Sequence, residues 1–87
     1  MTETNYAKVL YELNIAPEVT ASANAILKAA PEVSEVLSSP VVSLKEKENV
    51  IDKIFPKEIC NFMKVLCRYH KASLAQEIFK EYQEYYN

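Results

Sequence analysis

Cys60, Cys67 and His70 are the side chains whose types suit nucleophilic or metal chemistry, and their spacing supports neither. The cysteines lie seven positions apart in a stretch that reads as helix. At 1.5 Å per residue their Cα atoms sit roughly 10 Å apart, whereas a disulfide needs less than about 7 Å. Two small buried apolar residues are the plainer reading, with a reactive or intermolecular thiol as the alternative. There is one histidine and one aspartate, and no second histidine or metal-spaced cysteine pair to complete a zinc site. His70, beside Lys71 at the end of a helix, suits a structural role in which its charge complements the helix C-terminus. The carboxylates alternate with lysines, as in Lys45-Glu46-Lys47-Glu48, a pattern of solvated helix faces and not of paired catalytic acids. The expectation is a non-enzyme with no catalytic, metal or cofactor-binding residues.

Lys64, Arg68 and Lys71 follow at i, i+4 and i+7 and form one basic stripe beside Tyr69. It reads as a solvated face or as contact with an acidic partner. A nucleic-acid surface would carry more charge, because affinity grows with each phosphate neutralised. The net charge of −2 and pI of about 5.4 also exclude the basic profile of such proteins. No nucleic-acid partner is expected.

These residues must be positioned by helices. Glycine is absent from all 87 residues, which removes phosphate-cradling loops and argues against a hairpin-rich β fold. Pro17, Pro31, Pro40 and Pro56 cut the chain into short segments. Helices are predicted over 5–14, with Thr4 as cap, 17–30, 31–38, 44–55, 57–70 and 73–86. Pro17 and Pro31 stand at first helical positions, and Ser39-Pro40 ends the third helix. Ser43-Leu44-Lys45-Glu46 fits a capping box, followed by Val50, Ile51, Ile54 and Phe55 at helical spacing. Leu74, Ile78, Tyr82 and Tyr85 form one stripe of the sixth helix. The expected fold is all-α, a compact six-helix bundle in a single domain over 1–87. Death-domain-like interaction modules share that outline. No apolar run approaches the ~18–20 residues of a membrane span, and the opening MTETNY has neither the basic nor the apolar part of a signal peptide. A cytosolic compartment or the soluble side of a membrane is expected, with no direct membrane insertion.

Two helices are apolar over wider arcs than one core requires. On helix five, Lys71, Lys64, Arg68 and Asn61 fall within about 80°. The apolar remainder covers roughly 220°, against a little over ~100° for packing on a single core. One edge of that arc is Val65 with Tyr69, and the other is Cys60 with Cys67. On helix one, Tyr6, Ala7, Val9, Leu10, Tyr11 and Leu13 span about 200°. Both helices are central in the bundle, or they border a groove for an amphipathic partner helix, or they self-associate through the same surface.

Four collinear stretches resemble a known family. Tyr6-Ala7-Lys8 with Val9-Leu10-Tyr11-Glu12-Leu13 resembles its opening Tyr-Ala-Lys-Ala-Leu-Phe-Glu-Leu. Leu37-Ser38-Ser39-Pro40 with Val41-Val42-Ser43 resembles its Leu-Ser-Ser-Pro turn. Glu46-Lys47 through Val50-Ile51-Asp52-Lys53-Ile54-Phe55 resembles the helix that follows. Asn61-Phe62-Met63-Lys64-Val65-Leu66 resembles its Asn-Phe-Leu-Lys-Leu-Leu core helix, and Glu77-Ile78-Phe79 to Tyr86-Asn87 matches its sixth helix more loosely. The family is that of the delta subunit of F-type ATP synthases, whose mitochondrial counterpart is the oligomycin-sensitivity-conferring protein, and the resemblance is to its N-terminal domain. Two features differ. The family usually has Gly-Arg-Leu where this chain has His70-Lys71-Ala72, and its second helix is usually longer and richer in Glu and Leu than 15–30 is here.

The resemblance implies a non-catalytic stator adaptor of the peripheral stalk, peripheral at the cytoplasmic face of the cell membrane in a bacterial-type complex. Such a subunit helps couple proton transport to ATP synthesis. The partner it implies is the N-terminal helix of an alpha subunit, held in a groove between helices one and five. Val9 and Val65 are the positions carried over to that groove, with Leu13, Phe62 and Tyr69 as neighbours on the same faces. The b subunits would be reached through a C-terminal domain absent from this chain, and the isolated domain has an exposed surface through which to dimerise.

Overall fold

Proline and serine set the helix starts. In the computed structural model, which describes residues 3–84 and side chains from Asn5 onward, Pro17 opens α2 (Pro17–Ala29) and Pro31 opens α3 (Pro31–Ser38). At a first helical position the missing N–H of proline would have had no intrahelical partner anyway. Ser43 caps α4 (Leu44–Ile54): its Oγ accepts from the Glu46 amide at 3.2 Å. The reciprocal bond of a full capping box, from the Ser43 N–H to the Glu46 carboxylate, is not formed, so only half of the expected box exists. The remaining helices are α1 (Glu3–Glu12), α5 (Lys57–Arg68) and α6 (Ala75–Glu84). Thr4 lies inside α1 and not before it, which corrects its expected place as a cap. A 3₁₀ turn, Ala72–Leu74, leads into α6, so the sixth α-helix begins later than the apolar stripe suggested. Tyr85 of that stripe, and Tyr86 and Asn87, lie outside the described residues.

With no glycine available, two other residues take the left-handed backbone. Asn14 (φ 57°) follows α1 and His70 (φ 59°) follows α5. Both ends are Schellman motifs. After α1, the Ile15 amide donates to the Leu10 carbonyl at 3.2 Å and the Asn14 amide to that of Tyr11 at 3.0 Å. After α5, the Lys71 amide donates to Leu66 at 2.8 Å and the His70 amide to Cys67 at 3.1 Å. These bonds satisfy carbonyls that a helix end leaves without intrahelical donors. They also end both helices two residues before the expected 14 and 70.

The six helices form an all-α bundle, with no strand among the described residues. Its radius of gyration of 11.9 Å matches the ~12 Å expected of a compact chain this long. Helix α6 packs between α1 and α2, α4 pairs with α5, and α3 rests on the 3₁₀ turn. The core draws on every helix: Leu10, Leu27, Leu37, Ile51, Met63, Leu66, Ile78 and Phe79 are each buried. Full burial of such side chains contributes about 1.5–3 kcal/mol apiece.

Polar bonds lock α6 in place. The buried Tyr82 hydroxyl donates to the Ile15 carbonyl in the α1–α2 connection. The Gln83 amide donates to the Pro17 carbonyl at 3.0 Å and to Thr20 Oγ1 at 2.8 Å, and Thr20 Oγ1 donates to the Pro17 carbonyl at 2.9 Å.

Both cysteines are free and buried, as expected of small core residues. The Cys60 thiol points at the carbonyls where α4 turns into α5, 3.3 Å from that of Pro56. Burial pushes its pKa up, and the Asp52 carboxylate adds to the shift. Burial likewise raises that of Cys67.

The left-handed ends generate a prediction. A non-glycine residue in that conformation costs roughly 1–2 kcal/mol, partly offset by the greater freedom glycine gives the unfolded chain. His70→Gly is therefore expected to stabilise the fold by about 0.5–1 kcal/mol in urea unfolding, and Asn14→Gly by less, since asparagine tolerates the region better. A loss of stability in His70→Gly would mean that the imidazole makes a contact worth more than the backbone strain.

Candidate partner-binding groove

The wide apolar arc of α5 has two edges with different fates. The Cys60 and Cys67 edge is core. Cys60 faces the end of α4, and the Cys67 thiol lies 4.0 Å from the Leu37 carbonyl of α3. The opposite edge is surface: Val65 is 39% exposed and Tyr69 61%. On α1, Tyr6, Ala7 and Leu10 are buried, Val9 is partly buried, and Leu13 is 58% exposed.

Between these edges lie two depressions that share Tyr6 and Val65. One, of about 200 Å³, is lined by Tyr6, Val9, Leu13, Asn61, Phe62 and Val65, almost wholly by apolar surface. The other, of about 420 Å³, is lined by Tyr6, Val65, Tyr69 and Lys71. Together they form a groove between α1 and α5. Tyr6, early in α1, lines one depression with Val65 and Tyr69 late in α5, and Leu13, past the end of α1, lines the other with Asn61 early in α5. The two helices therefore run in opposite senses along the groove.

Its floor is aromatic. The Tyr6 and Phe62 rings meet edge to face, with centroids 6.2 Å apart and planes at 84°. Phe62 continues to Phe79 of α6 at 6.3 Å. Phe62 is thus both floor and core, only 5% exposed, whereas Leu13, Val65 and Tyr69 form the open rim. All five residues singled out from sequence, Val9, Leu13, Phe62, Val65 and Tyr69, line this one feature. Sequence reasoning missed Tyr6 and Asn61 as lining residues. Their signal was position alone: Tyr6 within the apolar arc of α1, and Asn61 at the polar boundary of α5.

The basic stripe is not one face. Because α5 ends at Arg68 and the backbone turns left-handed at His70, Lys71 leaves the helical register and lines the groove. Lys64 looks the other way, to Asp52 of α4, with Nζ 2.8 Å from Oδ1. The hydrogen bond to Asp52 holds the Lys64 pKa up. Such a half-exposed pair contributes little stability. Among the described residues, no carboxylate, imidazole or thiol lines the groove, and no group of three or more potential metal ligands occurs. The feature is shaped to take apolar side chains, not to perform a reaction.

The described residues form an all-α bundle with an apolar inter-helix groove, and comparison with known proteins places it in a family. The family model for the ATP synthase delta (OSCP) subunit matches residues 3–87. ATP synthase subunit delta of Alkaliphilus metalliredigens (strain QYMF) is 33% identical over 89 residues, covering 90% of this chain and 49% of that protein. ATP synthase subunit delta of Clostridioides difficile (strain 630) is 31% identical over 94 residues, covering 94% and 52%. No solved structure matches. The chain belongs to the ATP synthase delta (OSCP) subunit family, and it spans about half the length of the curated relatives it matches.

Rim and floor make opposite contributions to folding. Leu13→Ala and Tyr69→Ala are expected to change stability by no more than about 0.5 kcal/mol, as for other surface positions. Phe62→Ala should cost about 3–5 kcal/mol, the usual loss for a buried aromatic. Urea denaturation of the three variants checks this, and a rim residue as costly as Phe62 would assign it to the core.

Proposed function

We propose that this chain is the part of a peripheral-stalk subunit of an F-type ATP synthase that grips the N-terminal helix of an alpha subunit in the α1–α5 groove. The observation that carries the reading is the largely apolar groove formed by the two adjoining depressions, with Leu13, Val65 and Tyr69 held open to solvent at its rim. Family membership and the names of the relatives support the complex to which it belongs.

The mechanism asks only for affinity and stiffness. A partner helix docked along α5 would match its length of roughly 18 Å. Burying about 400 Å² of apolar surface contributes about 10 kcal/mol gross at 25 cal/mol per Å². Much of this is offset by ordering a segment that is flexible when free and by lost rotational and translational freedom. Holding the catalytic head against the stalk in this way stops it from turning with the rotor, and so helps couple proton transport to ATP synthesis. The remaining half of the subunit would join the b subunits. The site of action is then peripheral, at the cytoplasmic face of a bacterial membrane. No helix among the described residues is long and apolar enough to cross one.

Val65→Asp tests the groove. It places a charge on the rim with little effect on the core, since Val65 is 39% exposed. A peptide of the alpha-subunit N-terminus from the same genome is expected to bind the native chain and to lose at least about tenfold in affinity for Val65→Asp. The far-UV circular dichroism should be unchanged. Unaltered binding by a folded variant would show that the groove is not the site. Sedimentation at low and high salt should give monomers throughout; salt-sensitive oligomers would instead fit a death-domain-like module assembled through its charged faces.

A further inference from the structure

We propose that Lys71 makes the groove selective for an amphipathic helix with an acidic side chain at one end, and that this ion pair fixes how far along the groove the helix sits. The inference rests on the groove reading above and adds the chemistry of the occupant.

Three observations support it. Among the described residues, Lys71 is the one charged residue that lines either depression of the groove. It is held there by backbone: its amide closes the Schellman motif on Leu66 at 2.8 Å, and the left-handed turn at His70 swings it off the α5 face. Its side chain is half-buried beside Tyr6, Val65 and Tyr69, yet among the described residues its ammonium has no ion-pair or hydrogen-bond partner. Lys64, by contrast, is paired with Asp52 on the other side of α5 and does not line the groove.

A docked helix covers this end of the groove and takes water from the ammonium. Desolvating a cation without a partner is costly. A carboxylate on the incoming helix removes that penalty and adds a charge-assisted hydrogen bond. The opposite end, at Leu13, Val9 and Phe62, is apolar except for the Asn61 amide and offers no equivalent. The two ends therefore accept different residues, and an apolar helix gains a defined position it would otherwise lack. A single ammonium with no second cation in the lining makes no phosphate or free-anion site. The acid must arrive on the helix.

The test uses the 87-residue chain and two synthetic peptides. One is the alpha-subunit N-terminal segment from the same genome, and the other is the same segment with each Asp and Glu replaced by its amide. Lys71→Gln is expected to weaken binding of the first peptide by about fivefold at low salt, with the difference shrinking as ionic strength rises. Lys64→Gln, an equal change of charge, should bind as the native chain does. The amide peptide should bind Lys71→Gln at least as tightly as the native chain, because the variant has no unpaired ammonium to desolvate.

Equal affinity of Lys71→Gln and the native chain for the acidic peptide, with Val65→Asp still impaired, would overturn the role of Lys71 and leave the groove standing. Normal binding by Val65→Asp would overturn the groove reading, and this inference with it. An alpha-subunit segment with no acidic residue would overturn the proposal from sequence alone. Self-association of the chain that the peptide competes away would give the groove to a second copy and overturn the choice of occupant.

Discussion

The contact between the Tyr6 and Phe62 rings sets the spacing on which the surface of this bundle depends. The rings meet edge to face and are continued by Phe79 of α6, so a short aromatic ladder stands between α1 and α5. Such a pair adds about 0.5–1.5 kcal/mol beyond area burial, but its geometric effect is larger than its energy. Two helices packed through aliphatic side chains approach to about 8–10 Å. With rings wedged below them, α1 and α5 cannot close over Leu13, Val65 and Tyr69. Those side chains remain on the surface because the core beneath is already filled.

Much of the architecture was legible in the chain because helix starts are local chemistry. Pro17, Pro31 and Ser43 act through their own backbones and hydroxyl, so α2, α3 and α4 begin where these residues predict. Helix ends were harder. Without glycine, the left-handed residues Asn14 and His70 look like ordinary helical positions, and the ends of α1 and α5 are each expected two residues too late. The error had a consequence. Continuing α5 to residue 70 joined Lys64, Arg68 and Lys71 into one stripe, which the turn at His70 breaks.

The groove was half legible. Arc width reveals that a helix face is apolar, but not what packs against it. The Cys60 and Cys67 edge and the Val65 and Tyr69 edge are equivalent on a helical wheel. Only the third dimension separates them, by placing Leu37 and the end of α4 over the cysteines. The bonds from Tyr82 and Gln83 back to Ile15, Pro17 and Thr20 were equally invisible. They join residues more than sixty positions apart, where sequence periodicity carries no signal. They matter to the groove because they fix α6, and with it Phe79, against the α1–α2 connection.

A chain without glycine, whose two groove-forming helices end in fully bonded caps, has few places where its backbone can hinge. On the proposed reading, its cleft would serve as a preorganised template for a docked helix. Almost all of the ordering entropy of such docking would then fall on the incoming segment. Affinity would then follow how much helix that segment already holds in solution, since the apparent dissociation constant is the intrinsic one divided by the fraction of competent conformers. On the proposed reading, grip would be tuned from the partner's side, by substitutions that raise or lower its helicity and touch nothing in this chain.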